Sequence, residues 1–304
     1  MTRYRDVLEL HTGHPASDGA GVRLTRVIGG PSPERFDPFL MLDQFDTQNP
    51  DDYVAGFPSH PHRGFETVTY MLEGRMRHED HLGNRGLLKP GGVQWMTAAH
   101  GIIHSEMPEQ VEGAMRGFQL WVNLPAKSKL APAGYRDIEP EDVPRLETAG
   151  GVKVTVIAGR FDDGQAQQIG AVERPDTEPH YYDLQLPAGG RIAPRLPDGH
   201  RVLLYVYEGS LTVEGERPVE IATNRLARLS EEGELSLRSE AGARVLVLAG
   251  KPLREPIVQY GPFVMNSREE IEQALRDYRD GVPGRLSRAR AALRGGFFLP
   301  PVPS

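Results

Sequence analysis

The sequence predicts an all-β protein, because turn residues are abundant and helix-forming runs are short. The 304-residue chain contains 34 glycines and 26 prolines, which commonly form turns between strands. Between these turns lie short runs of β-branched and aromatic residues, such as 67–71 and 152–157, which are typical of strands. Many short strands separated by turns favour a β-sandwich or β-barrel architecture.

Composition and charge exclude several classes of function. With 38% hydrophobic and 25% charged residues, the chain resembles an ordinary globular protein. Its 35 basic and 42 acidic side chains give a net charge of −7, so we expect no direct binding to nucleic acid or membrane. The absence of cysteine excludes disulfides and thiolate metal ligands. The opening MTRYRDVLEL lacks the apolar core of a signal peptide, so we expect a cytoplasmic protein.

The first half of the chain contains predicted strands on both sides of a histidine-rich segment. Residues 22–28 predict a strand before a Gly29-Gly30 turn, and the apolar residues 39–45 predict a buried strand. Residues 115–124 predict a further strand beyond the histidines. The proline-bearing, charged residues 125–144 then indicate a connector between two domains.

The second half repeats the pattern of the first and ends in helices. Residues 70–76 align with residues 205–211 at an offset of 135, as expected if the second domain repeats the first fold. Ser267 and Glu270 form a capping box that predicts a helix ending near Gly281. A second short helix is expected over 287–293, followed by residues 297–301 packed on a barrel.

The histidine-rich segment predicts a metal site. Six of the ten histidines lie between residues 60 and 106, and His60/His62 and His104/Glu106 share the spacing i, i+2. Alternate side chains of a strand leave on the same face, so each pair can direct two ligands to one point. Three imidazoles and one carboxylate suit Fe(II), Mn, Ni, Co or Zn, and we favour Fe(II). An octahedral ion would keep two positions for substrate and for O2 or water.

The same segment resembles a known family. HPHRGFETVTYMLEG followed by PGGVQWMTAAHGIIHSE is similar to the signature of the pirins, and residues 36–40, 252–256 and 261–266 match as well. Pirins are bicupins, with two jelly-roll β-barrel domains and iron in the N-terminal one. The resemblance therefore implies a metal-binding cupin domain over 1–134 and a C-terminal cupin domain over 135–304 that ends in helices.

The resemblance also implies a set of ligands. Carried over by position, the family's iron ligands are His60, His62, His104 and Glu106. Glu66 is an alternative, because the general cupin pattern has a carboxylate ligand there and an unbroken strand from His60 would place it on the histidine face. If Glu106 is the ligand, Glu66 would orient an imidazole. The second half holds only two histidines, His180 and His200, so we expect no catalytic metal there.

Other residues of the segment have less specific interpretations. His78 and His81 in HEDHLG are three residues apart, whereas a zinc-protease helix needs a spacing of four, so we expect them to be solvated residues of a hairpin. His81 and His100 depart from the usual pirin pattern. Arg63 and Gly64 are interpreted as a structural ion pair and a close backbone passage, with substrate binding by Arg63 as the alternative.

Two functions of different classes remain open. Some pirins open quercetin with O2, so the resemblance implies a flavonol 2,3-dioxygenase whose substrates are a small aromatic flavonol and O2, with Glu106 as the catalytic base. The alternative is a metal-dependent regulatory protein that binds a protein partner, either a transcription factor or a metabolic enzyme. The acidic net charge is compatible with a protein partner and not with DNA contact.

Overall fold

A computed structural model of the chain describes residues 3–281. These residues form many short strands and one α-helix, so the predicted all-β class is confirmed. Within this described part, no helix is long and apolar enough to cross a membrane. The predicted helix over 287–293 and the packed segment over 297–301 lie outside the described residues.

Twelve strands precede residue 139. They are β1 (Val7–Thr12), β2 (His14–Asp18), β3 (Val22–Ile28), β4 (Phe39–Thr47), β5 (Phe57–His62), β6 (Phe65–Glu73), β7 (Met76–Asp80), β8 (Arg85–Leu88), β9 (Val93–Thr97), β10 (Ile102–Pro108), β11 (Met115–Asn123) and β12 (Gly134–Ile138).

Thirteen strands and the helix follow, within the described residues. They are β13 (Arg145–Glu147), β14 (Lys153–Ala158), β15 (Arg160–Asp162), β16 (Gln167–Ile169), β17 (His180–Leu186), β18 (Arg191–Ile192), β19 (Arg201–Val213), β20 (Val219–Ala222), β21 (Arg225–Leu229), β22 (Leu237–Arg238), β23 (Ala243–Gly250), β24 (Val258–Tyr260), β25 (Phe263–Met265) and α1 (Arg268–Asp280).

The chain folds into two compact units, and each unit is built from three separate segments of the sequence. One unit contains residues 3–14, 26–42 and 140–253, and the other contains residues 15–25, 43–139 and 254–281. The ranges expected from the sequence, 1–134 and 135–304, differ from these units at both ends of the chain. The reason is long-range pairing: β1 is hydrogen-bonded to β21, and α1 packs on β24 and β25 beside Ile103 of β10.

The unit with residues 43–139 contains the histidine-rich segment. Its larger sheet has the strand order β12-β9-β6-β11-β4-β3-β2, and its smaller sheet has the order β5-β10-β7-β8. Trp95 and Met96 of β9 are fully buried, and Phe45, Met71 and Met115 belong to one apolar cluster. β5, with prolines at 58 and 61, lies at the edge of the smaller sheet, where a missing backbone N–H is tolerated.

The other unit is built on a sheet with the order β1-β21-β19-β23-β17-β14-β13. Its core is almost entirely aliphatic, with buried valines and leucines on β17, β19 and β23. These central strands are buried over most of their length, as expected where both faces of a strand are covered.

The predicted capping box is present at the start of α1. The Glu270 backbone N–H donates to Ser267 Oγ at 3.3 Å, and the Ser267 backbone N–H donates to Glu270 Oε2 at 3.1 Å. Gly281 ends the helix with φ of 65°, the left-handed conformation that glycine adopts without strain. The helix is thereby defined at both ends.

We predict that an ion-pair network at Glu9 gives the fold part of its acid sensitivity. Burial alone would raise the pKa of Glu9, but hydrogen bonds with Arg228 and Arg35 lower it to about 2. A carboxylate with a lowered pKa stabilises the folded state above its unfolded pKa, and this contribution is lost as the pH falls towards 2. At pH 7, Glu9→Gln should lower the free energy of unfolding by about 1–2 kcal/mol.

This difference between the wild type and Glu9→Gln should shrink between pH 4.5 and 2. Urea unfolding followed by circular dichroism at pH 7 and pH 3 measures it, and Glu34→Gln, at an exposed position, is the control. Equal stability of the wild type and Glu9→Gln at pH 7 would contradict the prediction.

Candidate metal centre

The pairing of β5 with β10 brings the predicted histidines together. The two strands are antiparallel, and His104 lies directly opposite His60 in the register. His62 leaves β5 on the same face as His60, because the two are separated by one residue of an extended strand. Within residues 3–281, His60, His62 and His104 form a group whose possible ligand atoms all lie within 4.8 Å of one another.

The distances between the three imidazoles suit a single metal ion. His60 Nε2 lies 2.9 Å from His62 Nε2. Two nitrogens at neighbouring positions of an octahedral ion are separated by about 3 Å, because each metal–nitrogen bond is about 2.1 Å long. The ring of His104 lies 4.4 Å from that of His60 and 4.9 Å from that of His62, measured between centroids.

Burial keeps the three imidazoles in the neutral form that binds metals. Desolvation lowers the pKa of His60 and holds the pKa values of His62 and His104 well below their usual range. Mutual repulsion of the rings lowers the values for His62 and His104 further. A neutral imidazole has one nitrogen with a lone pair, and this lone pair can bind a metal.

The hydrogen bonds of two imidazoles indicate which nitrogens would bind the ion. His60 Nδ1 lies 2.8 Å from the Pro58 carbonyl oxygen, which can only accept, so Nδ1 carries the proton and Nε2 has the lone pair. His104 Nε2 is buried and has no hydrogen-bond partner in the described part of the chain. A buried polar atom without a partner is costly, and a metal would satisfy it. These residues therefore fit a metal ion.

Glu106 follows His104 by two residues on β10, but its carboxylate is not part of the group formed by the three histidines and is hydrogen-bonded to other side chains. Thr69 Oγ1 donates to Glu106 Oε1 at 3.1 Å, and Gln119 Nε2 donates to Glu106 Oε2 at 2.8 Å. The register with β5 shifts between His104 and Glu106 because β5 has one extra residue there, whereas the pairing of β10 with β7 is regular, so His104 and Glu106 leave β10 on the same face. Burial raises the pKa of Glu106, although the two hydrogen bonds act in the opposite direction. Its roles as fourth ligand and as base stay predictions.

Glu66 does not share the face of β6 that Glu106 contacts. The strand from His60 ends at His62, and a new strand begins at Phe65, so the parity expected for an unbroken strand does not hold. Thr69 contacts Glu106, and Glu66 is three residues earlier on the same strand, so it points to the opposite face. Thr97 Oγ1 donates to Glu66 Oε1 at 2.6 Å.

The loop between β5 and β6 is fixed by the C-terminal segment of the same unit. Arg63 donates from one NH group to Asp277 of α1 at 2.9 Å and from Nε to the His100 carbonyl at 2.6 Å, with both charged side chains buried. The structural ion pair expected for Arg63 is confirmed. Lys129 Nζ donates to the carbonyls of Gly64 and Val264 at 2.7 and 3.0 Å. These contacts hold the residues that directly follow His62.

Gly64 provides a direct test of this loop. Its φ is +91°, and a Cβ added there would lie 1.9 Å from the Val264 carbonyl oxygen, so any larger residue must displace β25 or the loop. Gly64→Ala should therefore lower the free energy of unfolding by about 3 kcal/mol or more. Chemical denaturation measures this change. The control is Gly134→Ala, where an added Cβ has no neighbour within 4 Å, and a loss there as large as at Gly64 would contradict the prediction.

Comparisons with known proteins agree with this architecture. The pirin family model matches residues 21–122, and the model of the pirin C-terminal cupin domain matches residues 181–284. A Pseudomonas aeruginosa protein, provisionally named a quercetin 2,3-dioxygenase, is 99% identical over 282 residues, which are 93% of this chain and 99% of that protein. The chain belongs to the pirin family. The expectation of a bicupin is confirmed for this pirin.

Two further similar proteins cover nearly the whole pirin chain. A pirin-like protein of Caulobacter vibrioides is 50% identical over 91% of this chain and 98% of its own length. The crystal structure of a quercetin 2,3-dioxygenase from Acinetobacter baumannii matches with a TM-score of 0.84 and 35% identity, and it covers 93% of this chain and 99% of that chain.

The expectation that His78 is a solvated hairpin residue of this pirin is wrong. Its ring is only 2% exposed, and its Nε2 atom lies 2.8 Å from His104 Nδ1. Burial lowers the pKa of His78 to about 4, so it is neutral near pH 7. Along β7, Met76 and His78 are buried and Arg77 between them is exposed. In the sequence, the apolar Met76 two residues before His78 could have predicted that the histidine lies on the inward face.

The other histidines make backbone contacts or lie elsewhere. His81 is half-buried, and its Nδ1 accepts from the Ile103 backbone N–H at 3.2 Å. His100 Nδ1 lies 2.9 Å from the Ala131 carbonyl oxygen. His180 and His200 lie in the other unit, and the absence of a catalytic metal there stays a prediction.

Sequence reasoning did not single out Thr69, Gln119 and Lys129. Thr69 and Gln119 lie on neighbouring strands that pair at these two residues, and both contact Glu106. Lys129 lies in the charged connector, where the sequence favours an exposed side chain. In the structure it is buried and donates to three acceptors. The side-chain contacts of all three depend on long-range pairing, for which the sequence has no local signal.

Proposed function

We propose that this pirin is a mononuclear metal-dependent dioxygenase that opens flavonols such as quercetin with O2. The observation that carries the proposal is the group of three neutral imidazoles with a buried, unpartnered His104 Nε2. His60, His62 and His104 would hold the ion, with Glu106 as a fourth ligand. Two of the similar proteins bear the name quercetin 2,3-dioxygenase, one of them provisionally, which supports this class of reaction.

Fe(II) is the metal we propose, with Mn, Ni, Co and Zn as alternatives. A set of three nitrogens and one oxygen suits all of these ions and not calcium or magnesium. The bound ion would supply a Lewis acid that lowers the pKa of a flavonol hydroxyl. It would thereby favour the electron-rich anion of the flavonol, which reacts with O2.

Glu106 is the group we propose to accept the proton of the flavonol 3-hydroxyl. Burial raises the pKa of its carboxyl, which makes the carboxylate a better base than an exposed one. Thr69 and Gln119 hold the carboxylate in place through one hydrogen bond to each oxygen. They would keep the base in a fixed position while a substrate enters.

The surroundings of His62 suit an aromatic substrate. The rings of Phe65 and Trp121 lie 5.1 and 5.3 Å from that of His62, and both side chains are buried. Such rings exclude water from the three histidines and make their surroundings apolar. His60 is the least buried of the three histidines.

The test is turnover of quercetin by protein loaded with Fe(II). We expect the wild type to consume quercetin in air, measured as loss of flavonol absorbance together with release of carbon monoxide. His62→Ala should abolish turnover because it removes a ligand, whereas His14→Ala, at an exposed position on β2, should leave it unchanged.

Elemental analysis of each protein shows whether a variant without turnover has lost its metal or still contains it. It should be carried out on protein purified without a metal-affinity resin. Fully metallated wild-type protein that leaves quercetin intact would contradict the proposal and favour the alternative, a regulatory protein that binds a protein partner.

A further inference from the structure

His78 makes a buried contact with one of the proposed ligands. Its Nε2 atom lies 2.8 Å from His104 Nδ1, which is within hydrogen-bond distance. His78 is 2% exposed and His104 is 1% exposed, so water does not compete for this contact. The two residues lie on neighbouring antiparallel strands, β7 and β10.

The two nitrogens share one hydrogen, and its position decides whether His104 can bind a metal. If His78 Nε2 donated, His104 Nδ1 would accept, and a neutral His104 would then carry its proton on Nε2. That nitrogen would point a proton at the other two histidines and could not act as a ligand. If His104 Nδ1 donates to His78 Nε2, the lone pair lies on His104 Nε2, which like His78 Nδ1 has no hydrogen-bond partner among the described residues.

We propose that His78 is a positioning residue that accepts the Nδ1 proton of His104 and thereby fixes His104 Nε2 as a metal-binding atom. Metal-binding histidines generally donate their other N–H to a carboxylate, a backbone carbonyl or water. Here the acceptor is a second neutral imidazole. This inference rests on the metal site proposed above and assigns a function to a histidine outside the ligand set.

The position of His78 is itself held by packing. Its ring meets the ring of Tyr135 edge to face at a centroid distance of 5.3 Å. In the register of β7 with β10, His78 lies opposite Glu106, two residues beyond His104. The acceptor atom is therefore placed by strand pairing and by ring packing, as a positioning role requires.

The first experiment determines the tautomer in the metal-free wild type. Long-range nitrogen–proton NMR spectra of the protein labelled with ¹⁵N in histidine distinguish a proton on Nδ1 from one on Nε2. Comparison with a His104→Gln spectrum assigns the signals. We expect the proton of His104 on Nδ1 and that of His78 also on Nδ1. A His104 proton on Nε2 would overturn the proposal without any use of metal.

The second experiment measures the affinity for Zn(II) by competition with a chelating indicator. His78→Phe keeps an aromatic ring but has no acceptor, and it should weaken binding by about 10- to 100-fold. His78→Gln can place an amide oxygen near the position of Nε2 and should restore most of the affinity. His14→Phe, which removes an exposed histidine, is the control and should bind as the wild type does.

The outcomes separate this inference from the proposed function. Wild-type protein that binds no Zn(II), Fe(II) or Mn(II) would overturn the metal site itself. Tight binding by both the wild type and His78→Phe would overturn only the role of His78. Should His78→Phe fail to fold, as judged by circular dichroism, His78→Gln and the wild-type tautomer still decide the question.

Discussion

The antiparallel pairing of β5 with β10 is the constraint on which the proposed site depends. It places His104 opposite His60 and leaves both rings on one face of a small sheet. Because burial disfavours the charged form, each imidazole is held neutral, and His104 Nε2 lacks the partner that solvent would supply. The site is therefore prepared for a cation by desolvation.

Buried polar contacts hold the loop that follows His62. A buried ion pair rarely adds net stability, since desolvation of the two charges offsets much of their attraction, but removal of one partner typically costs about 3–5 kcal/mol. The Arg63–Asp277 pair is of this type and has further hydrogen bonds to the His100 carbonyl and from Gln273. Together with Lys129, this ion pair fixes the position of the backbone at residues 63 and 64, and it adds little to the net stability of the fold.

Local patterns in the sequence predicted the parts of the site that depend on local geometry. His60, His62 and His104 follow from i, i+2 spacing, and the start of α1 follows from Ser267 and Glu270. The unbroken strand that would have placed Glu66 on the histidine face is absent, because β5 ends at His62 and β6 begins at Phe65. The prediction of a solvated His78 was wrong because the polarity of the segment was given more weight than its alternation. Each unit combines segments that are far apart in the sequence. This depends on pairing across more than 200 residues, as for Val7 with Leu229, which no local pattern encodes.

The contacts of Gly64 and Arg63 with Val264 and Asp277 also have a consequence for protein synthesis. The ribosome makes His60 and His62 early, but their loop reaches its final conformation only after residues 262–277 have emerged. A nascent chain therefore exposes these imidazoles without the geometry that holds them. An ion could therefore be held in the proposed geometry only after these later residues have folded against the loop.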